Sequence, residues 1–167
     1  MSRYRNTPKR TGAFVGGAIL LAAAIAVSGP AAGHGPPGAH YDGHAAALGE
    51  PGDPKTVTRT MEVQGQEMKF VPATLTIRRG ETVRFVFKNT GQLKHEMMIG
   101  TQKELNEHAA LMEKHPEMEH DDPNGTQAEP GKSGEFVWKF TKSGQFFFGC
   151  LLPGHYQQGM KGSIVVR

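Results

Sequence analysis

Cysteine is almost absent from this sequence, since Cys150 is the only one among 167 residues. A single cysteine excludes an internal disulfide and therefore any fold that depends on one. In an exported chain, a lone thiol has three roles open to it: pairing with a second chain, acting as a nucleophile or binding a metal. The residues around Cys150 have to decide among them.

Acidic residues are missing from the first 32 positions, where Arg3, Arg5, Lys9 and Arg10 form a basic cluster. An uncharged, mostly apolar run follows over residues 12–27, and small residues dominate residues 28–33. This layout predicts a secretory signal peptide over residues 1–33 and export to the periplasm. The alternative is a retained anchor, but the run falls short of the roughly 20 residues that span a bilayer. We therefore expect no membrane attachment after cleavage.

The net charge of +3 is largely a property of this first segment. Without its four basic residues, fifteen basic residues remain against sixteen acidic ones, a net charge near −1. No basic patch is evident in the remainder, so the sequence does not predict nucleic-acid binding.

Bulky apolar residues are scarce in residues 34–54, which are rich in Gly, Pro and Ala. We predict a disordered tail here because such a segment cannot bury a core. The tail contains His34, His40 and His44 as candidate N-terminal metal ligands. If cleavage follows Ala31, His34 becomes the third residue after a free amine, an arrangement that chelates Cu(II). The alternative is that these histidines are scattered and bind nothing.

Apolar and polar residues alternate over several short stretches between residue 55 and the C-terminus, which predicts β-strands. Turn residues separate the stretches, as at Arg79-Gly80 and Ser143-Gly144. Many short strands in one region predict an all-β sandwich or barrel, as a single domain over residues 55–167. The apolar residues of these stretches are Val57, Met61, Val63, Leu75, Ile77, Val83, Phe85, Phe87, Phe136, Trp138, Phe140, Phe146, Phe148, Ile164 and Val166.

A long insertion over residues 100–133 interrupts the strand pattern and contains a predicted short helix over residues 101–114. Thr101 and Glu104 have the spacing of a capping box, and Pro116 ends the helical segment. Connections of this length are more often functional or disordered than simple links.

The insertion also carries a candidate second metal site. Its members are His108, Met112, His115, Met118 and His120. Helical spacing places the first three on one face, which favours a second copper ion there. The alternative is that Leu105, Ala109 and Met112 form an ordinary core-facing stripe while the histidines are solvated.

The segment from Cys150 to Met160 places a thiolate, the His155 imidazole and a thioether on one short loop between two predicted strands. Soft Cys and Met ligands suit copper, and imidazole suits both of its oxidation states. A Cys-His-His set with a weak axial Met is the blue-copper arrangement, so a second histidine is needed. His95, which follows the Phe85/Phe87 strand, is the best candidate.

This pattern resembles the plastocyanin- and azurin-type cupredoxins, in the run over residues 80–85, Asn89, the pair His95-Glu96 and the Cys-x4-His-x4-Met loop. The loop spacing is most similar to the rusticyanin and auracyanin branch. The resemblance implies a Greek-key β-sandwich with copper at one end. It also implies that His95, Cys150 and His155 are equatorial ligands and that Met160 is axial.

The resemblance does not extend to the copper enzymes that reduce oxygen. A binuclear copper centre needs a second cysteine, and multicopper oxidases flank the ligand cysteine with histidines, whereas Gly149 and Leu151 flank it here. We therefore expect no enzymatic activity and a single mononuclear type 1 copper.

Two functions remain open at this point. One is electron transfer, with a periplasmic redox protein such as a c-type cytochrome as partner. The other is copper tolerance, as in the bacterial copper-resistance cupredoxins that the His/Met-rich additions resemble, with copper-export machinery as partner. In the alternative interpretation, the protein sequesters or delivers copper through a second His/Met site and has no redox partner. We expect a monomer.

Overall fold

The computed structural model describes Ala45, residues 47–118 and residues 121–167. The predicted signal peptide, the candidate ligands His34, His40 and His44, and His120 lie outside the described residues. Within the described part, no helix is both long enough and apolar enough to cross a membrane.

The described chain forms ten strands and one α-helix. They are β1 (Gly49–Pro51), β2 (Arg59–Gln66), β3 (Lys69–Val71), β4 (Thr74–Ile77), β5 (Thr82–Asn89), β6 (His95–Gly100), α1 (Gln102–Lys114), β7 (Gly125–Ala128), β8 (Ser133–Phe140), β9 (Gly144–Gly149) and β10 (Lys161–Val166).

The strands form two five-stranded sheets, in the orders β1-β8-β5-β2-β3 and β4-β10-β9-β6-β7. Alternate side chains of each sheet point into one shared core, as the period of two requires. Phe85 and Trp138 enter it from the first sheet, and Ile99 and Phe148 enter it from the second. The prediction of an all-β sandwich with one short helix is confirmed.

Ordered structure begins earlier than predicted, so the boundary at residue 55 is wrong. Strand β1 lies inside the segment expected to be a disordered tail, and it pairs antiparallel with β8. Leu48 is fully buried in the core beside it. A Cβ on Gly49 would collide with the carbonyl oxygen of Lys139, so glycine permits this close approach. Strand β1 was not predicted because Leu48 is a single bulky apolar residue and gives no alternation of apolar and polar residues.

Helix α1 begins as its capping box predicts. The Thr101 hydroxyl accepts a hydrogen bond from the Glu104 N–H at 3.2 Å, and the Glu104 carboxylate accepts one from the Thr101 N–H at 2.7 Å. The helix buries Leu105, Ala109 and Met112 in a second apolar cluster.

All six residues of β6 are buried, and the second cluster explains why its consecutive apolar residues are buried on both faces of the strand. Met97 and Ile99 point into the sandwich core, whereas Met98 points into the cluster that contains the α1 side chains. The insertion also contributes β7, which pairs antiparallel with β6. Strand β7 has no alternating apolar pattern in the sequence, because Ala128 is its only buried residue.

Candidate metal centre

Three strand ends bring the predicted ligands together. Strand β6 begins at His95, β9 ends immediately before Cys150, and β10 begins immediately after Met160. Because β9 is antiparallel to both β6 and β10, the end of β9 and the starts of β6 and β10 lie at the same end of the sandwich. His155 occupies the loop between β9 and β10.

The donor atoms of three of these residues face one another. The Cys150 Sγ lies 3.2 Å from the His155 Nδ1, which lies 3.3 Å from the His95 Nδ1. All three donor atoms fall within 4.8 Å of one another, and no other described group of three His, Cys, Asp or Glu side chains does so. Bonds of about 2.0–2.3 Å from one ion to its ligands span such separations.

The ligands differ in their access to solvent. Cys150 and His95 are fully buried, whereas His155 is partly exposed. The centre is therefore closed on the side of the core and reaches the surface through one imidazole.

Met160 is fully buried at the base of the loop. Its carbonyl accepts a hydrogen bond from the Cys150 N–H, and its N–H donates one to the His155 carbonyl, both at 3.1 Å. A Cβ on Gly65 would lie 2.7 Å from the Phe87 ring and 3.4 Å from the Met160 Cε, so the glycine leaves room for both side chains.

The loop turns at two glycines. Gly154 has a backbone φ of 80° and Gly159 one of 100°, values that residues other than glycine rarely adopt. These two glycines therefore allow the ligand loop to turn tightly.

Asn89 organises the segment that precedes His95. Its buried amide donates to the carbonyls of Leu93 (2.7 Å) and Ala128 (2.9 Å) and accepts from the Gly91 N–H (2.9 Å). These three bonds hold the segment between β5 and His95 in place.

Glu96 connects β6 to the ligand loop. This side chain is almost completely buried, and its Oε1 accepts a hydrogen bond from the Leu151 N–H at 2.7 Å. The bond joins the residue after one ligand, His95, to the residue after another, Cys150.

The insertion helix also holds the ligand loop, which sequence analysis did not foresee. The Glu113 Oε1 accepts a hydrogen bond from the Gly154 N–H at 2.7 Å, and the Gln102 amide donates one to the Tyr156 hydroxyl at 2.6 Å. These contacts flank His155 on both sides. No local sequence signal reports them, because each joins residues more than 40 positions apart.

Burial controls the protonation of the donors. It raises the pKa of the Cys150 thiol to about 12, with a further contribution from the negative charge of Glu96. Burial lowers the pKa of His95 and of His155, and the neighbouring His95 lowers that of His155 further. At neutral pH the metal-free site therefore holds a thiol and two neutral imidazoles.

The candidate ligands of the second site differ in burial, and His120 lies outside the described residues. His108 and Met112 are buried on the inner face of α1, and Met118 packs partly buried against the same cluster. His115 is the C-cap residue of the helix and is exposed. The helical face that was predicted to hold a metal is thus divided between the core and solvent.

The donor set of the first site fits copper. The donor atoms of one cysteine and two histidines converge, and the thioether of Met160 is buried at the base of the same loop. A Cys-His-His set with an axial Met is the ligand set of a type 1 copper centre. Structural zinc sites instead take four Cys, His or carboxylate ligands, and Met is not among them.

Comparisons with known proteins agree with this chemistry. Residues 57–167 match the family model of copper-binding proteins of the plastocyanin/azurin family. The chain is similar to the copper-resistant cuproprotein CopI of Rubrivivax gelatinosus, with 46% identity over 89% of this chain and 94% of that protein. CopI of Pseudomonas aeruginosa strain PAO1 is 36% identical over 74% of this chain and 84% of that protein.

Among solved structures, auracyanin B aligns with a TM-score of 0.62 and 23% identity, over 72% of this chain and 96% of auracyanin B. At that identity the likeness establishes the fold alone, and it agrees with the two-sheet sandwich.

Proposed function

Because the chain belongs to the plastocyanin/azurin family of copper-binding proteins, we propose that it is an exported periplasmic copper protein that transfers electrons and contributes to copper tolerance. The observation that carries the proposal is the convergence of His95, Cys150 and His155 at one end of the sandwich. In this proposal Met160 is the axial ligand, and the protein's role is binding and electron exchange rather than catalysis.

Copper in such a donor set supplies a one-electron couple between Cu(I) and Cu(II). The chain's contribution is a frame held by hydrogen bonds that the Asn89 amide donates and that the Glu96 and Glu113 carboxylates accept. Donors that do not move when the charge of the ion changes keep the barrier to electron exchange low.

The partly exposed imidazole of His155 supports an electron path to the surface. Pro153, in the same loop, is exposed, and Leu93, two residues before His95, is 48% exposed. This small apolar surface suits the brief, weak encounters of redox proteins, which bury little area. A c-type cytochrome is the kind of partner we propose.

Copper tolerance is supported by the relatives, which are named copper-resistant cuproproteins and align over most of their length. The signal-like segment over residues 1–33 supports export to the periplasm, where copper-export machinery is a second candidate partner.

The central test is copper titration into the chain without residues 1–33. We expect one tightly bound ion, an intense visible thiolate-to-copper band and reduction by a c-type cytochrome faster than that of free copper. Cys150→Ser should abolish the band, whereas His115→Ala, which removes an exposed histidine, should retain it. A band that survives in Cys150→Ser would contradict the ligand assignment, and electron exchange no faster than with free copper would contradict electron transfer.

A second candidate function is copper sequestration without a redox partner. A cavity of about 190 Å³ beside the ligand loop favours it, since Met112, Met118, Glu96 and Glu117 line this cavity. A Met118→Leu/Glu117→Gln double variant, which changes two residues that line the cavity, tests it. Two ions in the parent chain and one in the double variant would support sequestration, and one ion in both would exclude it.

A further inference from the structure

Glu67 lies at the turn between β2 and β3, in the sheet that does not contain the ligands. Its carboxylate Oε1 nevertheless reaches the segment that leads into His95. There it accepts hydrogen bonds from the backbone N–H groups of Gln92 and, at 3.2 Å, Leu93. The turn of one sheet is thereby anchored to the ligand-bearing segment of the other.

The two ring nitrogens of His95 face different neighbours. Its Nδ1 faces the His155 Nδ1 and belongs to the donor group. Its Nε2 is buried and has no hydrogen-bond partner in the described structure. When one nitrogen of a neutral imidazole binds a metal, the other carries the proton, so the Nε2–H needs an acceptor.

The carboxylate of Glu67 is placed to accept that hydrogen bond. Its Oε1 lies 3.7 Å from the His95 Nε2, slightly beyond hydrogen-bond length. Gly91 makes the approach possible, because a Cβ there would collide with the Glu67 carboxylate. A displacement of less than 1 Å, roughly, would close the bond to ordinary length.

We propose that Glu67 is a positioning residue for the copper centre, which holds His95 as the Nε2–H tautomer and favours Cu(II) over Cu(I) through its negative charge. The inference rests on the proposed copper site. A carboxylate that accepts from the outer N–H of a ligating histidine fixes the ring and raises the basicity of the ligand. A nearby negative charge also stabilises the more positive ion more strongly.

The test measures the Cu(II) and Cu(I) affinities of Glu67→Gln, Glu67→Ala and the parent chain. Each protein competes for the ion with a chelator of known affinity. Glu67→Gln keeps an acceptor oxygen for the Gln92 and Leu93 N–H groups but removes the charge. We expect the ratio of Cu(II) to Cu(I) affinity to fall roughly tenfold in Glu67→Gln and further in Glu67→Ala, within the range seen for such residues. The visible band should shift in Glu67→Ala, because His95 loses its acceptor.

Glu62→Gln is the matched control, because it removes a surface carboxylate from β2 that pairs with Lys88 (2.6 Å) instead of a ligand. Its affinity ratio should equal that of the parent chain. An unchanged ratio and band in both Glu67 variants would overturn the inference while leaving the copper site intact. If the parent chain itself forms no thiolate–copper band, the proposed function fails instead.

Discussion

The carboxylate of Glu113, in the last turn of α1, accepts a hydrogen bond from the backbone N–H of Gly154 at 2.7 Å. Gly154 immediately precedes the ligand His155, and the contact spans 41 positions of the chain. The insertion is thus directly bonded to the loop that carries three of the four proposed ligands.

The Glu113 contact predicts an effect on copper exchange. In Glu113→Ala, the Gly154 N–H loses its acceptor and the ligand loop opens more often, so we expect copper to transfer to a chelator roughly tenfold faster, a loss of about 1.4 kcal/mol. Glu107→Ala is the control, since Glu107 is exposed on the same helix and its contact is with Lys103 (3.8 Å). Equal release rates for both variants would show that the hydrogen bond does not restrain the loop.

The Gln102–Tyr156 contact predicts a coupling between the helix and the loop. Tyr156 is 5% exposed, and its hydroxyl accepts the Gln102 amide N–H at 2.6 Å. We expect Tyr156→Phe and Gln102→Ala each to lower the free energy of unfolding by about 1 kcal/mol, and the double variant to lose less than the sum. Urea unfolding of the four proteins measures this, and strict additivity would rule out the contact.

The protonation of the site predicts proton release on metal binding. Burial raises the pKa of Cys150 to about 12, so the thiol is protonated across the neutral range, while both imidazoles are already neutral because their pKa values are lowered. A ligand must lose its proton to bind the ion, so Cu(II) affinity rises with pH. Between roughly pH 7 and 9 we expect one proton released per copper.

Calorimetry of Cu(II) binding in buffers of different ionisation enthalpy measures the number of protons. The Cys150→Ser variant, which has no thiol, should release none. A release of two or more protons by the parent chain would show that an imidazole is protonated in the metal-free site.

The burial of Met112 predicts that packing beneath α1 contributes to the free energy of unfolding. It is 2% exposed in the cluster with Leu105, Ala109, Leu151 and Tyr156. Met112→Ala should cost about 2–5 kcal/mol of unfolding free energy, because it leaves a cavity under α1. Met112→Leu conserves the volume and should cost less than about 1.5 kcal/mol. Equal, small losses in chemical denaturation of both variants would show that Met112 does not support the core.

The features that depend on local spacing could be predicted from the amino-acid sequence alone. Alternating residues such as Phe85 and Phe87 identified strands, Thr101 and Glu104 identified the helix start, and the Cys150–His155 spacing identified a metal loop. These signals lie within a few residues of one another, and a strand, a cap or a tight loop imposes them directly.

The distant groups that surround the ligands could not be predicted in this way, because the packing of the two sheets and the helix brings them there. The contacts of Glu67 with the His95 segment, of Glu113 with Gly154 and of Leu48 with the core all depend on sheet order and helix packing. In the sequence, Glu67 is typical of a turn, Glu113 of a helix surface and Leu48 of a tail. Their roles arise because pairing between strands brings together segments that the sequence separates by tens of residues, and no local pattern encodes that pairing.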